Sequence, residues 1–121
     1  MNRIALVEDN PDNRLLVCAI LEDDYNIDEY ENGKEALEGI AAHPPDLILL
    51  DISLPEMDGT EVLQNIRSTD TLAEIPAIAL TAHAMTGDRE KFLSMGFDEY
   101  ITKPIVDEDE LLNVIHRFLE L

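Results

Sequence analysis

The chain has 121 residues, which is one domain's worth at about 100–200 residues per domain. It carries 27 Asp plus Glu against 8 Lys plus Arg, a formal charge of −19. Phosphate backbones and anionic lipid are bound by clustered Lys and Arg, so neither nucleic acid nor a membrane is expected as a charge-driven partner. With 45% of its residues apolar and set in regular runs, the chain can build a core that a disordered acidic chain cannot. The one cysteine, Cys18, makes no internal disulfide and no Cys-based zinc site. In the apolar stretch from Leu15 to Leu21 it reads as a packed, inert thiol. His43, His83 and His116 are not at metal-ligand spacing. No apolar run reaches the ~18–20 residues that span a bilayer, and the N-terminus lacks signal-peptide character, so a cytoplasmic location is expected.

Ile4-Ala5-Leu6-Val7 is a short, wholly apolar strand ending at Glu8-Asp9-Asn10-Pro11. Strands of this kind belong to parallel sheets covered on both faces. Asn10 suits the N-cap of a first helix and Pro11 its first position. That helix ends near Leu21, with Leu15, Leu16, Ala19 and Ile20 as its expected apolar stripe. Tyr25 to Glu31 reads as an edge-like strand, and Lys34 to Ala42 as a second helix stopped by His43-Pro44-Pro45. Asp46 to Leu50 is the strongest strand and runs into Asp51. Thr60 to Arg67 follows as a helix, and Ala77 to Leu80 as a buried strand ending on Thr81. A helix from about Thr86 to Met95, with Phe92 and Met95 inward, stops at Gly96. Asp98 to Thr102 is a short strand before Lys103-Pro104. A last helix starts at Asp107, which with Glu110 forms an expected capping box.

Five strands alternating with five helices predict right-handed βαβ crossovers and a parallel α/β sheet. For a small doubly wound domain the expected order is 2-1-3-4-5, a flavodoxin-like three-layer sandwich. Ligands then bind beyond the carboxyl ends of the first and third strands, where the order reverses. Glu8, Asp9 and Asp51 leave those two strands, while Thr81 and Lys103 leave the fourth and fifth. Three clustered carboxylates repel one another unless a cation joins them, and an all-oxygen set suits Mg²⁺. With a Lys and a hydroxyl beside them, they are the parts of a phosphoryl-transfer site in which Asp51 is the candidate nucleophile. Each of these residues alone is an ordinary turn acid, cap or surface charge. Their convergence at four strand ends carries the reading.

At these residues the chain resembles the receiver domain of two-component response regulators, the family of the chemotaxis regulator CheY. The resemblance runs from Arg3 to about Leu119, so residues 1–121 are expected to form one receiver domain with no output domain. It rests on Glu8-Asp9, Asp51, Thr81, Lys103-Pro104 and the loop Leu54-Pro55-Glu56-Met57-Asp58-Gly59, and no catalytic position departs from the family pattern. The resemblance implies that Asp51 accepts a phosphoryl group from phosphohistidine on a sensor histidine kinase or phosphotransfer protein. It implies Mg²⁺ held by Asp9, Asp51, the Ser53 carbonyl and, through water, Glu8. It further implies that Lys103 pairs with the phosphoryl oxygens, that the bond to Pro104 is cis, and that Thr81 and Tyr100 move together as the switch. Ala82 would leave access to Asp51, and Ser53 and His83 would tune the phosphate lifetime. Met85 reads as an exposed residue available to a partner. Thr81-Ala82-His83-Ala84-Met85 with Gly87-Asp88 is most similar to receivers of hybrid kinases and single-domain regulators of the DivK type. A phospho-acceptor switch acting through the surface of the fourth helix, fifth strand and fifth helix on a protein partner is therefore expected, as a monomer or weak dimer and not as a turnover enzyme. Two other readings stay open: a Mg²⁺-dependent phosphohydrolase with an aspartyl nucleophile, and a binding module indifferent to phosphorylation.

Overall fold

Aliphatic strands too short to show a polar face have to be covered on both sides, and the computed structural model of the chain meets that demand with a three-layer sandwich. It describes residues 2–82, 88–103, 105 and 107–119. The strands are β1 (Arg3–Val7), β2 (Asn26–Tyr30), β3 (Leu47–Asp51), β4 (Ala77–Thr81) and β5 (Glu99–Thr102). The helices are α1 (Pro11–Leu21), α2 (Gly33–Ala42), α3 (Gly59–Arg67), α4 (Asp88–Met95) and α5 (Glu108–Leu119). All four strand pairings are parallel, in the order β2-β1-β3-β4-β5.

Successive side chains of a strand point to opposite faces. Ala5, Val7, Ile48, Leu50, Ala77 and Ala79 pack with Ala36, Ile40, Val62, Leu63, Ile66 and Phe92 of α2, α3 and α4. Ile4, Leu6, Leu47, Leu49, Ile78 and Leu80 pack with Val17, Leu21, Leu111 and Ile115 of α1 and α5. The two cores share one sheet, so any shift of a central strand is felt on both faces.

The helix starts follow local chemistry. Asn10 accepts hydrogen bonds from the Asp12 and Asn13 amides, Asn32 from Glu35 and Asp58 from Glu61. Asp107 caps α5 through the Asp109 amide at 3.0 Å, one residue before the Glu110 partner expected of a capping box. Gly96 closes α4 with φ +109°, a conformation that favours glycine.

The α1 stripe differs from expectation. Val17 and Leu21 are the buried residues, whereas Leu15 is 71% and Leu16 37% exposed. Seven consecutive apolar residues offer the sheet every face of the helix, and only the crossover from β1 to β2 selects one. Strand β2 starts at Asn26, with Tyr25 buried just before it. The expected start of α4 at Thr86 lies outside the described residues, as do His83, Met85 and Pro104. Among the described residues no helix is long and apolar enough to cross a membrane.

Candidate functional site at the carboxyl edge of the sheet

Parallel strands deliver all their C-termini to one edge. Glu8 leaves β1, Asp51 and Thr81 close β3 and β4, and Lys103 follows β5. Glu8 is fully buried, Asp51 and Thr81 are nearly so, and Asp9 is exposed. Carboxylate oxygens of Glu8, Asp9 and Asp51 lie within 4.8 Å of one another. Lys103 Nζ donates to Asp51 Oδ2 at 2.9 Å and to both Glu8 oxygens at 3.2 and 3.3 Å. One ammonium thus serves two buried acids, with a third alongside.

Glu8 registers the imbalance. Burial and the neighbouring Asp51 carboxylate push it up to about 7, against smaller downward pulls from Asn13 and Lys103. Burial pulls Lys103 down, but hydrogen bonds and attraction from Asp51 and Glu8 outweigh it and hold the amine above its ordinary value.

Local backbone geometry aims Asp51. The Ser53 amide donates to Asp51 Oδ1 at 2.9 Å, which leaves Oδ2 to Lys103. The Gly59 amide donates to the Ile52 carbonyl at 2.9 Å, drawing the start of α3 onto the end of β3. A Cβ on Gly59 would stand 2.9 Å from Ile52 Cα and still closer to the Asp51 carbonyl. Gly59 therefore lets the β3–α3 loop fold tightly under the site. Across the cleft, Arg14 donates to the Glu8 and Asp9 carbonyls at 2.8 and 3.2 Å and tethers the β1–α1 turn.

The sequence-predicted residues Glu8, Asp9, Asp51, Ser53, Thr81, Ala82 and Lys103 stand together at this edge. Tyr100 lies earlier in β5, three residues before Lys103, half-buried, with its ring 5.6 Å from that of Phe92. Sequence reasoning missed Asn13, whose side-chain amide donates to Glu8 Oε1 at 2.8 Å. Its position in the first turn above a strand end was the available signal. Also missed was Glu99 at the start of β5, held by Arg89 of α4 at 3.1 and 3.3 Å and by Arg117 of α5 at 2.7 Å. Nothing in the spacing of those three residues marks the contact.

Comparison with known proteins matches residues 4–116 to the response regulator receiver domain. The DivK polar-differentiation response regulator of Brucella anthropi is 45% identical over 103 residues, covering 84% of each chain. The histidine kinase BarA of Escherichia coli is 40% identical over 116 residues, which are 95% of this chain and 12% of the kinase. Among solved structures, the receiver domain of a Pseudomonas aeruginosa sensor histidine kinase, with a magnesium ion coordinated in its active site cleft, is 35% identical at TM-score 0.89. That alignment covers 99% of this chain and 98% of the other. The chemotaxis protein CheY4 of Vibrio cholerae is 25% identical at TM-score 0.90, over 98% and 99%. Fold, acid cluster and sequence agree, and the chain belongs to the response regulator receiver domain family.

Proposed function

We propose that Asp51 is the phospho-acceptor of this receiver and that a histidine-linked phosphoryl group is its substrate. A carboxylate oxygen of Asp51 attacks phosphorus while the P–N bond to an imidazole protonated on its other ring nitrogen breaks; the bonding pair stays on the departing nitrogen, and histidine leaves neutral. The observation that carries this reading is Lys103 Nζ at 2.9 Å from Asp51 beside a surplus of carboxylates. An ammonium there can follow charge onto the transferred phosphoryl oxygens.

The donor set is all oxygen and over-supplied with negative charge, which fits Mg²⁺. Asp9 and Asp51 would hold the ion directly with the Ser53 carbonyl, and Glu8 through water. Its chemistry there would be to neutralise phosphoryl oxygens that three acids would otherwise repel. Thr81, at the end of β4, would bond the new phosphoryl group. Tyr100, two residues into β5, would follow it and alter the α4-β5-α5 surface read by a downstream protein. The phosphodonor, a histidine kinase or phosphotransfer protein, would dock where α1 leaves Leu15 and Leu16 exposed beside the site. In this role the protein modifies itself and turns over no other substrate.

Incubation with acetyl phosphate and Mg²⁺ tests the proposal. One phosphoryl group per chain should appear on Asp51, and EDTA or Asp51→Asn should abolish it. Folded protein that stays unlabelled overturns the reading. Multiple turnover of a small phosphomonoester would favour the phosphohydrolase instead.

A further inference from the structure

Glu8 is fully buried, yet its carboxylate has only two side-chain hydrogen-bond donors among the described residues. They are Lys103 Nζ and Asn13 Nδ2. Beside it lies a cavity of about 10 Å³, walled otherwise by Leu16, Val17, Leu80 and Ile105. That volume is at the lower limit for a single water, and the aliphatic wall offers it no hydrogen bonds. A buried carboxylate with a donor removed bears most of the desolvation cost of the missing bond.

In the proposed reaction, Lys103 has to serve the phosphoryl oxygens, which takes it off Glu8. Asn13 is then the donor that stays. It is held firmly for that task. Its backbone amide donates to the Asn10 cap at 3.2 Å, Pro11 fixes the first turn, and Arg14 ties that turn to the Glu8 and Asp9 carbonyls. Asn13 and Glu8 are therefore set relative to each other before any ligand arrives.

We propose that Asn13 is a positioning residue for phosphoryl transfer. Its amide pins Glu8 Oε1 toward α1 and leaves Oε2 to the acid cluster, so that the water-mediated metal contact of Glu8 is preorganised. This rests on the phospho-acceptor reading above. Groups that orient metal-site ligands without touching the metal typically change affinity or activity by about 10–100-fold when removed.

The test uses the full chain with Asn13→Leu, close in shape and without a donor, and Asn13→Ala, which also removes bulk. Three quantities are measured: Mg²⁺ affinity by calorimetry with no phosphodonor present, the initial rate of Asp51 labelling by acetyl phosphate at saturating Mg²⁺, and thermal unfolding in EDTA. Both variants should bind Mg²⁺ about tenfold more weakly and label about tenfold more slowly. Wild-type affinity and rate in the folded variants overturn the proposal, even if unfolding shifts, because that pattern belongs to a merely structural asparagine. Should the wild-type chain itself fail to label, the phospho-acceptor reading falls, and the role of Asn13 is judged on Mg²⁺ affinity alone.

Discussion

Glu8 and Glu99 are both buried glutamates at ends of strands, 0% and 8% exposed, and they meet opposite electrostatic fates. Glu8 shares one lysine with Asp51 and has Asp9 close by. Among the described residues Glu99 accepts from two guanidinium groups, those of Arg89 and Arg117, and also from the Tyr100 amide at 3.2 Å. Burial pushes both carboxyls upward. Glu8 ends at about 7, while the hydrogen bonds from Arg89, the Tyr100 amide and Arg117 bring Glu99 below its ordinary value. Burial of an acid therefore does not distinguish a reactive site from a structural clamp. The local count of cations does. Where acids outnumber bases the fold leaves a place for a cation, and where bases outnumber acids it ties elements together. Glu99 ties α4 and α5 to β5, the three elements of the proposed output surface.

The largest test of this contrast is substitution in EDTA at a pH above about 7, where Glu8 is ionised. Glu8→Gln removes a charge from a repelling cluster and should raise the melting temperature. Glu99→Gln breaks the clamp and should lower it. Each change should be about 2 kcal/mol, or roughly 6–12 °C for a domain of this size. Scanning calorimetry of the two variants would defeat the contrast if both shifts had the same sign.

A somewhat smaller effect, about 1–2 kcal/mol, is expected from pH in the metal-free protein. The native carboxyl of Glu8 titrates above its unfolded counterpart, so the folded chain binds the extra proton. Its contribution is fully present below about 4.5 and is lost as pH rises toward about 7. Glu99 has the reverse sign, because its folded value is lowered. Its contribution is present above about 4.5 and disappears as pH falls through that lowered value. Urea midpoints at pH 5.0 and 7.5 should fall with pH in the wild type and lose part of that slope in Glu8→Gln. An unchanged slope would remove Glu8 as its source.

How far the sequence showed this in advance depends on what set each feature. Strands such as Leu47–Asp51 were legible because burial on both faces leaves only aliphatic residues, and parallel connectivity then sends Glu8, Asp51, Thr81 and Lys103 to one edge. The α1 face was not legible. A run from Leu15 to Leu21 has no polar residue to mark the solvent side, so tertiary packing alone exposed Leu15. The Glu99 clamp spans three elements and leaves no periodic trace. Asn13 was hidden for a different reason: an asparagine in a first helical turn is ordinary, and only the place of Glu8 beneath it gives its amide a task.

The smallest expected effect separates the two glutamates by accessibility. Arg89 and Arg117 are 58% and 55% exposed at their side chains, so salt reaches the clamp, whereas the Lys103 and Glu8 pair is 14% and 1% exposed. Exposed pairs are screened at a Debye length of about 8 Å in 0.15 M salt and about 3 Å at 1 M, while buried charges are screened much less. Raising NaCl from 0.05 to 1 M in EDTA, roughly that range, should therefore shrink the cost of Glu99→Gln by about 0.5 kcal/mol. The gain from Glu8→Gln should stay nearly constant, since low-dielectric surroundings and not bulk solvent set the repulsion there. Urea midpoints of both variants across that series decide it. Equal salt dependence would mean that the acid cluster is as open to solvent as the clamp, and its surplus charge would then no longer explain the raised Glu8.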